Sequence, residues 1–399
     1  MTDAATTLSR VMRAELVDRL LPFWTQRVLD HRHGGFIGRM ASDGVVAPRA
    51  DKGVILNTRL LWTYAAAYRV LGNAKCKALA DRAYAYVDKH FRDPVHDGVY
   101  WMLDYTGHAI DDKKQTYAQA FAIYAYSEYA RATGHEAAQA AAVALYRCVE
   151  RCWDARHGGY LEGFTRTWVP RADMRLSDQD RNVPKGMNTH LHVLEAYTNL
   201  YRIWPDAGLQ HRLRLLLRLF LDHIIDAQTH HLRSYFALDW APLDTTVSCG
   251  HDIEASWLLY EAAELLDDAS LLREVQSRIV TMARATLAEG FDSDGGVLNE
   301  RDGQGPLDTD KHWWPQAEAI VGCLNAYHLT HDPAFLTQAT TTWRFVEQHL
   351  LDRTHGEWFW GISQDGTPML EEDKVGPWKG PYHNMRACLE VMARMMPPR

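Results

Sequence analysis

The chain has few of the features that mark secreted, membrane-bound or zinc-binding proteins. Its six cysteines include no Cys-x-x-Cys pair, and Cys148 and Cys152 are too far apart along a helical stretch for a zinc knuckle. No run of 18 apolar residues occurs, so no membrane span is predicted. Charged residues are scattered through the first 24 positions, which argues against a signal peptide. We therefore expect a cytoplasmic protein with reduced thiols.

The charge balance argues against two classes of partner. Lys and Arg total 43 against 51 Asp and Glu, which gives a net charge of −8, and no run of like charge stands out. Neither nucleic acid nor an anionic membrane surface is an expected partner of such a chain. Apolar residues make up 47% of the 399 positions, so there is enough material for a large core.

Tryptophan and histidine, by contrast, are abundant, with 14 and 20 residues. Tryptophan side chains often stack on sugar rings, because the C–H faces of a sugar are apolar. Large aromatic residues also fill gaps between helices. The second explanation covers most of the tryptophans, and the first makes a sugar site worth testing.

One loop pattern recurs along the chain and predicts a repetitive fold. Each copy begins with Asp, and most copies contain glycine before a final apolar residue. The copies are Asp30–Phe36, Asp93–Val99, Asp154–Tyr160, Asp226–Leu232, Asp292–Val297 and Asp352–Trp358. Their first residues are 63, 61, 72, 66 and 60 positions apart. Four copies are too similar for chance, whereas the copies at Asp226 and Asp292 are weak enough to be coincidental.

Between these loops the apolar residues recur at the three- and four-residue spacing of helices. The predicted helices are Ile55–Leu71, Thr116–Thr133, Asn188–Trp204, Asp252–Leu266, Trp314–Thr330 and His383–Met396. Second helical stretches follow them, for example Ala74–His90 and Ala334–Leu351. A unit of about 60 residues holds two helices of about 15 to 20 residues. Each unit is therefore predicted to be a helical hairpin, with short strands after the glycines.

Six hairpins can stack as an open solenoid or close into a ring. A solenoid normally ends in polar capping repeats. Here aromatic residues stand in both terminal units, Trp24 and Phe36 in the first and Trp343, Trp358 and Trp360 in the last. The sequence therefore predicts an all-α (α/α)6 barrel, a single domain over residues 1–399 with a central active-site cavity.

Polar residues gather at the beginnings of the predicted first helices. These candidates are Arg59, Asn188, His192, His251, Glu254, Trp314, Glu318, His383 and Arg386. Pairs on one helix are three or four positions apart and so share a helix face. If these helices line the barrel, the candidates converge on the mouth of the cavity.

A histidine at such a position has an advantage as a base. The positive end of the helix dipole disfavours the imidazolium, so the ring stays neutral near pH 7. A nearby glutamate can hold its tautomer. An isolated helical histidine is more often structural, but three polar helix starts with a histidine and a charged residue favour chemistry.

Metal binding is the other interpretation of these histidines, because His190, His192, His251 and His383 are all possible zinc ligands. His190 and His192 point in different directions on a helix, and no further ligand lies at metal spacing. We therefore predict a site without metal.

At these motifs the chain resembles the N-acylglucosamine 2-epimerase superfamily, and within it the cellobiose 2-epimerases. The matching stretches are 52–62, 187–197, 250–257, 312–318 and 375–384, which agree in order and spacing over nearly the whole chain. The resemblance implies the same barrel and a reversible inversion at C2 of a reducing-end aldose, without cofactor. It also implies β-1,4-linked disaccharides such as cellobiose and lactose as substrates, and a monomer or homodimer.

The resemblance also implies roles for individual residues. His251 and His383 exchange the C2 proton through an enediolate, and His192 assists ring opening. Arg59 and Asn188 stabilise the negative oxygens, and Glu254 orients His251. The remaining implied substrate contacts are Asp180, Glu254, Trp314, Glu318, Trp378 and Arg386.

Three alternatives remain open at this point. The same fold can host a mannose or glucose 2-epimerase, or an aldose–ketose isomerase, acting on free monosaccharides. It can also host a glycoside hydrolase, which needs two carboxylates about 5 to 9 Å apart, with Glu254 and Glu318 as candidates. A non-catalytic protein-binding module is the third alternative, but it has no reason to gather His, Arg and Glu at helix starts.

Overall fold

Helical pairs follow one another around a closed ring in the structure, a computed structural model that describes residues 3–394. The inner helices are α3 (Val54–Leu71), α5 (Thr116–Thr133), α7 (Met187–Tyr201), α9 (Cys249–Leu265), α11 (Trp313–Thr330) and α13 (Tyr382–Arg394). Each inner helix packs against the next, and α13 returns to α3. The predicted (α/α)6 barrel is therefore confirmed.

The outer layer packs against this ring. Its helices are α1 (Asp3–Ala14), α2 (Leu21–Gln26), α4 (Ala74–Tyr86), α6 (Glu136–Val149), α8 (Ala207–Leu219), α10 (Ala269–Glu289) and α12 (Pro333–Phe345). A π-helical turn, Glu15–Leu20, joins α1 to α2, and similar turns continue α4, α8 and α12. The predicted Ala74–His90 helix is thus an α-helix that widens after Tyr86.

One hairpin differs from the prediction of six contiguous units. Within the described residues, the last inner helix, α13, is followed by no outer helix and packs against α1 instead. The two ends of the chain therefore form one hairpin together and close the ring. Helix α13 is described as far as Arg394, so the end of the predicted helix at Met396 lies outside the described residues.

The inner helices are buried almost all round, because both layers cover them. In α5, every residue from Thr116 to Ala130 is buried. Such a helix needs small residues for close approach, and alanine occupies positions such as Ala118, Ala122 and Ala125. In the described part of the chain, no helix combines the length and apolarity required to cross a membrane.

All six copies of the loop pattern adopt the same antiparallel bridge, including the two weak ones. The bridged pairs are Leu29–Phe36, Arg92–Val99, Trp153–Tyr160, Ile225–Leu232, Phe291–Val297 and Leu351–Trp358. The first Asp of each copy pairs with a cation, as in Lys52–Asp30 and Lys185–Asp154, both at 2.8 Å. The weak copy at Asp226 uses Arg233 at 2.6 Å instead.

Short antiparallel strands tie the loops to the inner helices. They are β1 (Lys52–Gly53), β2 (Met102–Leu103), β3 (Ala109–Asp111), β4 (Lys114–Gln115), β5 (Gly163–Phe164), β6 (Lys185–Gly186), β7 (Tyr235–Phe236), β8 (Val247–Ser248), β9 (Glu300–Asp302), β10 (Gly305–Asp308), β11 (Lys311–His312) and β12 (Gly361–Ile362). β1, β4, β6, β8 and β11 each lead directly into an inner helix, so the loops surround the N-terminal ends of these helices.

Candidate active site

A cavity of about 530 Å³ lies where the inner helices begin. The predicted residues that line it are Arg59, Asp180, Asn188, His192, His251, Glu254, Trp314, Trp378 and His383. They come from five parts of the chain that are far apart in sequence. Nine of the eleven predicted site residues thus line one cavity at the barrel mouth.

Helix geometry explains this convergence. Asn188, Trp314 and His383 are the second residues of α7, α11 and α13. The sixth residues of α3, α7, α9 and α11 are Arg59, His192, Glu254 and Glu318. Because residues four apart share a helix face, the second and sixth positions both point toward the barrel axis.

A buried ion network supports His383. Its Nδ1 lies 2.7 Å from Glu318 Oε1 and 4.0 Å from Glu254 Oε1. Arg386 Nη2 donates to both carboxylates, at 2.6 Å to Glu254 and 2.7 Å to Glu318. A carboxylate can only accept, so Nδ1 of His383 carries a proton and Nε2 is left for the cavity.

His192 has a similar arrangement on α7. Its Nδ1 lies 2.9 Å from Glu195 Oε2, and the other oxygen of Glu195 accepts hydrogen bonds from Arg386 and Tyr382. The ring packs against Phe121, with centroids 4.7 Å apart. Arg386 therefore links the carboxylate partners of His192 and His383 into one network.

His251 is held differently. Its Nδ1 lies 2.8 Å from the hydroxyl oxygen of Ser248, and its ring packs against Trp314 with centroids 4.7 Å apart. The preceding residue, Gly250, allows this contact, because a Cβ there would lie 2.6 Å from the Trp314 ring. Trp314 also contacts His383, with centroids 5.6 Å apart, so one indole ring adjoins both histidines.

The pKa values of the three histidines are all lowered, mainly by burial. Burial lowers the pKa of His251 to about 3, and it lowers the pKa of His383 well below its ordinary value. Burial also lowers the pKa of His192, although Glu195 opposes this. The expectation of neutral imidazoles near pH 7 agrees with this direction, and the leading cause is burial rather than the helix dipole.

One predicted contact needs correction, and two predicted residues lie outside the cavity lining. Glu254 does not hold His251, because its carboxylate binds Arg386 while Ser248 contacts the histidine. Glu318 and Arg386 do not line the cavity and are almost fully buried behind His383. Glu318 contacts Nδ1 of His383 and Arg386 contacts Glu318, so both lie behind the histidine, and their contact with a substrate stays a prediction.

The same network bears on metal binding. Oxygens of Glu254 and Glu318 and a nitrogen of His383 lie within 4.8 Å of one another, close enough to share an ion. However, the guanidinium of Arg386 already lies against both carboxylates at 2.6 and 2.7 Å. The cluster is thus built around an internal cation, and its residues do not fit a resident metal.

Arg59 brings a positive charge to the wall of the cavity. Its guanidinium donates to the carbonyl oxygen of Trp378 at 3.0 Å and to the Tyr117 hydroxyl at 3.1 Å. It also lies over the rings of Phe121 and Tyr382, at 4.6 and 4.9 Å from their centroids. The side-chain oxygen Oδ1 of Asn188 is buried and has no hydrogen-bond partner among the described residues. Both Arg59 and Asn188 line the cavity.

Several residues of the site were missed in the sequence. Aromatic residues Tyr117, Trp313 and Trp360 line the cavity together with His312. Helix α5 has no histidine or charge near its beginning, so the polar pattern passed over it. Its position in the helix could have identified Tyr117, because it is the second residue of α5, as Asn188 is of α7.

Comparison with known proteins identifies the family. The family model described as N-acylglucosamine 2-epimerase (GlcNAc 2-epimerase) matches residues 35–387. The chain belongs to the N-acylglucosamine 2-epimerase family. A cellobiose 2-epimerase of Bacteroides fragilis is 48% identical over 387 residues, covering 96% of this chain and 98% of the relative. Another, from Dictyoglomus turgidum, is 37% identical over 393 residues, covering 97% and 99%.

Solved structures of the family superimpose on this barrel. The cellobiose 2-epimerase from Bacillus thermoamylovorans B4167 gives a TM-score of 0.94 at 38% identity, covering 98% of this chain and all of that one. A GH76 α-mannanase from Bacteroides thetaiotaomicron gives a TM-score of 0.61 at 12% identity, covering 98% and 95%. The second likeness shows the fold alone.

Proposed function

We propose that this chain is a carbohydrate 2-epimerase that interconverts glucose and mannose at the reducing end of β-1,4-linked disaccharides such as cellobiose and lactose. One observation carries the proposal. His251 and His383 line one cavity beside Trp314, and Nε2 of each has no hydrogen-bond partner among residues 3–394. Family membership and the identity to cellobiose 2-epimerases support the substrate class.

The first step is ring opening, because the C2 proton becomes acidic only beside a C1 aldehyde. His192 lines the cavity with Nε2 free, and Glu195 holds its Nδ1. It takes the proton from the O1 hydroxyl and returns one to the ring oxygen as the C1–O5 bond breaks. The sugar then carries an aldehyde at C1 and a hydroxyl at C5.

The second step is proton transfer at C2. One imidazole removes the C2 proton through Nε2, and the electron pair of that bond forms the enediolate, with the charge on O1. The other histidine must first take a proton from water at Nε2, and the lowered pKa makes this enzyme form a minority at pH 7. It delivers that proton to the opposite face of C2 as the enediolate returns to the aldehyde, and the two histidines then regain their starting protonation by exchange with water. The roles are exchanged in the reverse reaction, so one pair of histidines serves both epimers.

The enediolate charge needs stabilisation in a buried site. Arg59 is 4% exposed and faces the cavity, so its guanidinium is worth more there than in water. Asn188 contributes an unpaired oxygen that can accept a sugar hydroxyl. Asp180, held by the Ser177 hydroxyl at 2.6 Å, adds another acceptor near the mouth.

The mouth of the cavity suits a second sugar ring. Trp313 and Trp360 pack together with centroids 4.6 Å apart, and Trp378 packs on Trp101 at 5.8 Å. Trp313, Trp360 and Trp378 all line the cavity, and their faces can stack on apolar sugar faces. This aromatic rim supports a disaccharide over a free monosaccharide.

The carboxylates argue against glycoside hydrolysis. That reaction needs one carboxylic acid and one free carboxylate on either side of the bond. Glu254 and Glu318 both bind the same nitrogen of Arg386, and Glu318 is fully buried. Neither is free to approach a glycosidic bond from an opposite side.

We also propose that the enzyme acts in the cytoplasm as a monomer or homodimer, without a nucleic-acid partner. Six free, buried cysteines support a reducing compartment, and the net charge of −8 argues against a nucleic-acid partner. Light scattering on the purified protein measures the assembly state.

Incubation with cellobiose, lactose, glucose and mannose in D2O, followed by proton NMR, tests the function. We expect the C2 epimers of the two disaccharides, with deuterium at C2 of the product. Ketose products would indicate an aldose–ketose isomerase, and turnover of monosaccharides alone a mannose epimerase. Release of shorter sugars without C2 exchange would contradict the proposal and indicate a hydrolase.

A further inference from the structure

The three site histidines have different kinds of partner at Nδ1. His192 and His383 each contact a carboxylate, Glu195 at 2.9 Å and Glu318 at 2.7 Å. His251 contacts the Ser248 hydroxyl at 2.8 Å. A carboxylate imposes one tautomer because it only accepts, whereas a hydroxyl can donate or accept. The orientation of His251 therefore depends on what else Ser248 contacts.

Ser248 is the N-cap residue of α9, and its side chain makes no capping hydrogen bond. A serine at this position usually accepts a hydrogen bond from the backbone N–H two or three residues on. Here the hydroxyl is turned toward the side chain of His251, the third residue of α9. The hydroxyl of Ser248 therefore does not cap α9 and contacts Nδ1 of His251 instead.

A second space, next to the main cavity, adjoins the serine. This side pocket, of about 190 Å³, is lined by Glu162, Ser234, Tyr235, Thr246, Ser248 and Glu300 among others. His251 borders both the side pocket and the main cavity, whereas Ser248 borders the side pocket. The lining is mixed, but polar side chains such as Glu162, Ser234 and Tyr235 stand in it, and the volume is large enough for several water molecules. The serine proton can therefore point into the pocket while its oxygen accepts from Nδ1.

We propose that Ser248 is the positioning residue of His251. Its hydroxyl oxygen accepts the Nδ1 proton and donates its own proton to the side pocket, which holds His251 in the tautomer with Nε2 free toward C2. Trp314 contacts the ring but offers no hydrogen bond to Nδ1, so it cannot choose between the two ring nitrogens. Ser248 therefore determines which ring nitrogen of His251 carries the proton. This inference rests on the proposed epimerase function.

The test begins with Ser248→Ala. Without the hydroxyl, part of the His251 population carries its proton on Nε2 and cannot act as the base. We expect kcat to fall about tenfold, a fraction of what general acid–base catalysis contributes, with KM unchanged because the sugar contacts remain. Thermal stability should be retained, since no capping hydrogen bond is lost.

An isotope effect separates positioning from a general structural defect. With cellobiose and its epimer each deuterated at C2, the primary isotope effect on kcat should rise in the variant for one of the two epimers. Proton transfer involving His251 then limits the rate more strongly. A defect in binding or folding would lower turnover without raising the isotope effect for either epimer.

Two further variants complete the experiment. Ser248→Thr keeps the hydroxyl on a strand residue and should restore kcat to within about threefold of the wild type. Ser234→Ala is the matched control, because Ser234 lines the same pocket and its hydroxyl donates to the Thr246 carbonyl oxygen at 3.2 Å. It should behave like the wild type.

The inference is overturned if Ser248→Ala turns over at the wild-type rate, if its isotope effects stay unchanged, or if threonine restores nothing. The wild-type enzyme decides a different question. If it incorporates no deuterium at C2, the proposed function fails whatever the serine variants do. If it incorporates deuterium and the serine variants are silent, only the positioning role is lost.

Discussion

The fourth and sixth residues of the inner helices lie on different sides, since two residues correspond to about 200° of helix rotation. The fourth residues of α5, α7, α9 and α11 are Gln119, His190, Asp252 and Gln316. Each accepts the backbone N–H of the apolar residue that ends a loop copy, at 2.7 to 2.8 Å. The sixth residues of α7, α9 and α11 face the barrel axis instead.

His190 and His192 show what this difference means. Both ring nitrogens of His190 are used, since Nε2 accepts from Tyr160 N–H at 2.8 Å and Nδ1 donates to the Gly186 carbonyl oxygen at 2.7 Å. His192 uses Nδ1 for Glu195 and keeps Nε2 toward the cavity. A histidine with both nitrogens satisfied is structural, and one with a free nitrogen on a cavity can do chemistry.

The largest effect should come from replacing the two histidines that exchange the C2 proton. His251→Ala and His383→Ala should each lower kcat by about a hundredfold to ten-thousandfold, the usual contribution of a general acid or base. Steady-state epimerisation measures this loss, and circular dichroism checks that the helices remain. Near-normal turnover in either variant would remove that histidine from the mechanism.

The next effect concerns the network behind them. Arg386→Met should destabilise the fold by about 3 to 5 kcal/mol, because it leaves buried carboxylates without a counterion. Urea unfolding measures the loss. Arg386→Lys retains the charge and should lie between the wild type and the methionine variant. An Arg386→Met protein as stable as the wild type would show that Glu195, Glu254 and Glu318 are not ionised together.

Single variants of His190 and His192 test whether one histidine serves stability and the other serves catalysis. His190→Ala should cost about 1 to 3 kcal/mol of stability by leaving the Tyr160 N–H unpaired, while kcat changes little. His192→Ala should do the reverse. His190→Gln should restore stability, since glutamine does the same work at Gln119 and Gln316. An inactive but fully stable His190→Ala protein would invert the assignment.

The pH dependence of stability gives a smaller effect. Burial lowers the pKa of His190 to about 4, below its ordinary value of about 6.5. The unfolded chain therefore binds more protons, so this stability is present above pH 6.5 and is lost as the pH falls toward 4. Thermal melting between pH 7 and 4 measures the slope. His190→Gln should flatten it, and an unchanged slope would contradict the shift.

The smallest expected effect is that of a chelator. Because the Arg386 guanidinium already lies between Glu254 and Glu318, dialysis against EDTA should leave epimerase activity unchanged. Activity measured before and after dialysis, with and without added divalent cations, checks this. Loss on dialysis with recovery on metal addition would contradict the guanidinium as the resident cation.

Much of the fold was accessible from the sequence because its signals are local and repeated. The Asp-to-apolar loop copies at 60- to 72-residue intervals predicted the units. The structure shows that even the glycine-free copy at Asp226 keeps the bridge Ile225–Leu232. The pairing of α13 with α1 was not predicted, because closure of the ring joins residues almost 400 positions apart.

The candidate site was predicted less completely than the fold. Spacing of four along α7 predicted that Asn188 and His192 share a helix face, and both residues line the cavity. The partners of His251 and His383 were assigned less well. Glu254 is three residues after His251 yet binds Arg386, while the partner of His383 is Glu318, 65 residues away. Spacing along one helix carries no information about contacts across the barrel.

By itself, the sequence determined the periodic helices, the loops and the residue types at the second and sixth helix positions, because these depend on local backbone geometry. Only the tertiary structure decided which nitrogen of each histidine is free, which carboxylates share Arg386, and that Ser248 contacts His251. These depend on distances of about 3 Å between side chains, and in a closed ring such distances are set by the packing of all the helices together.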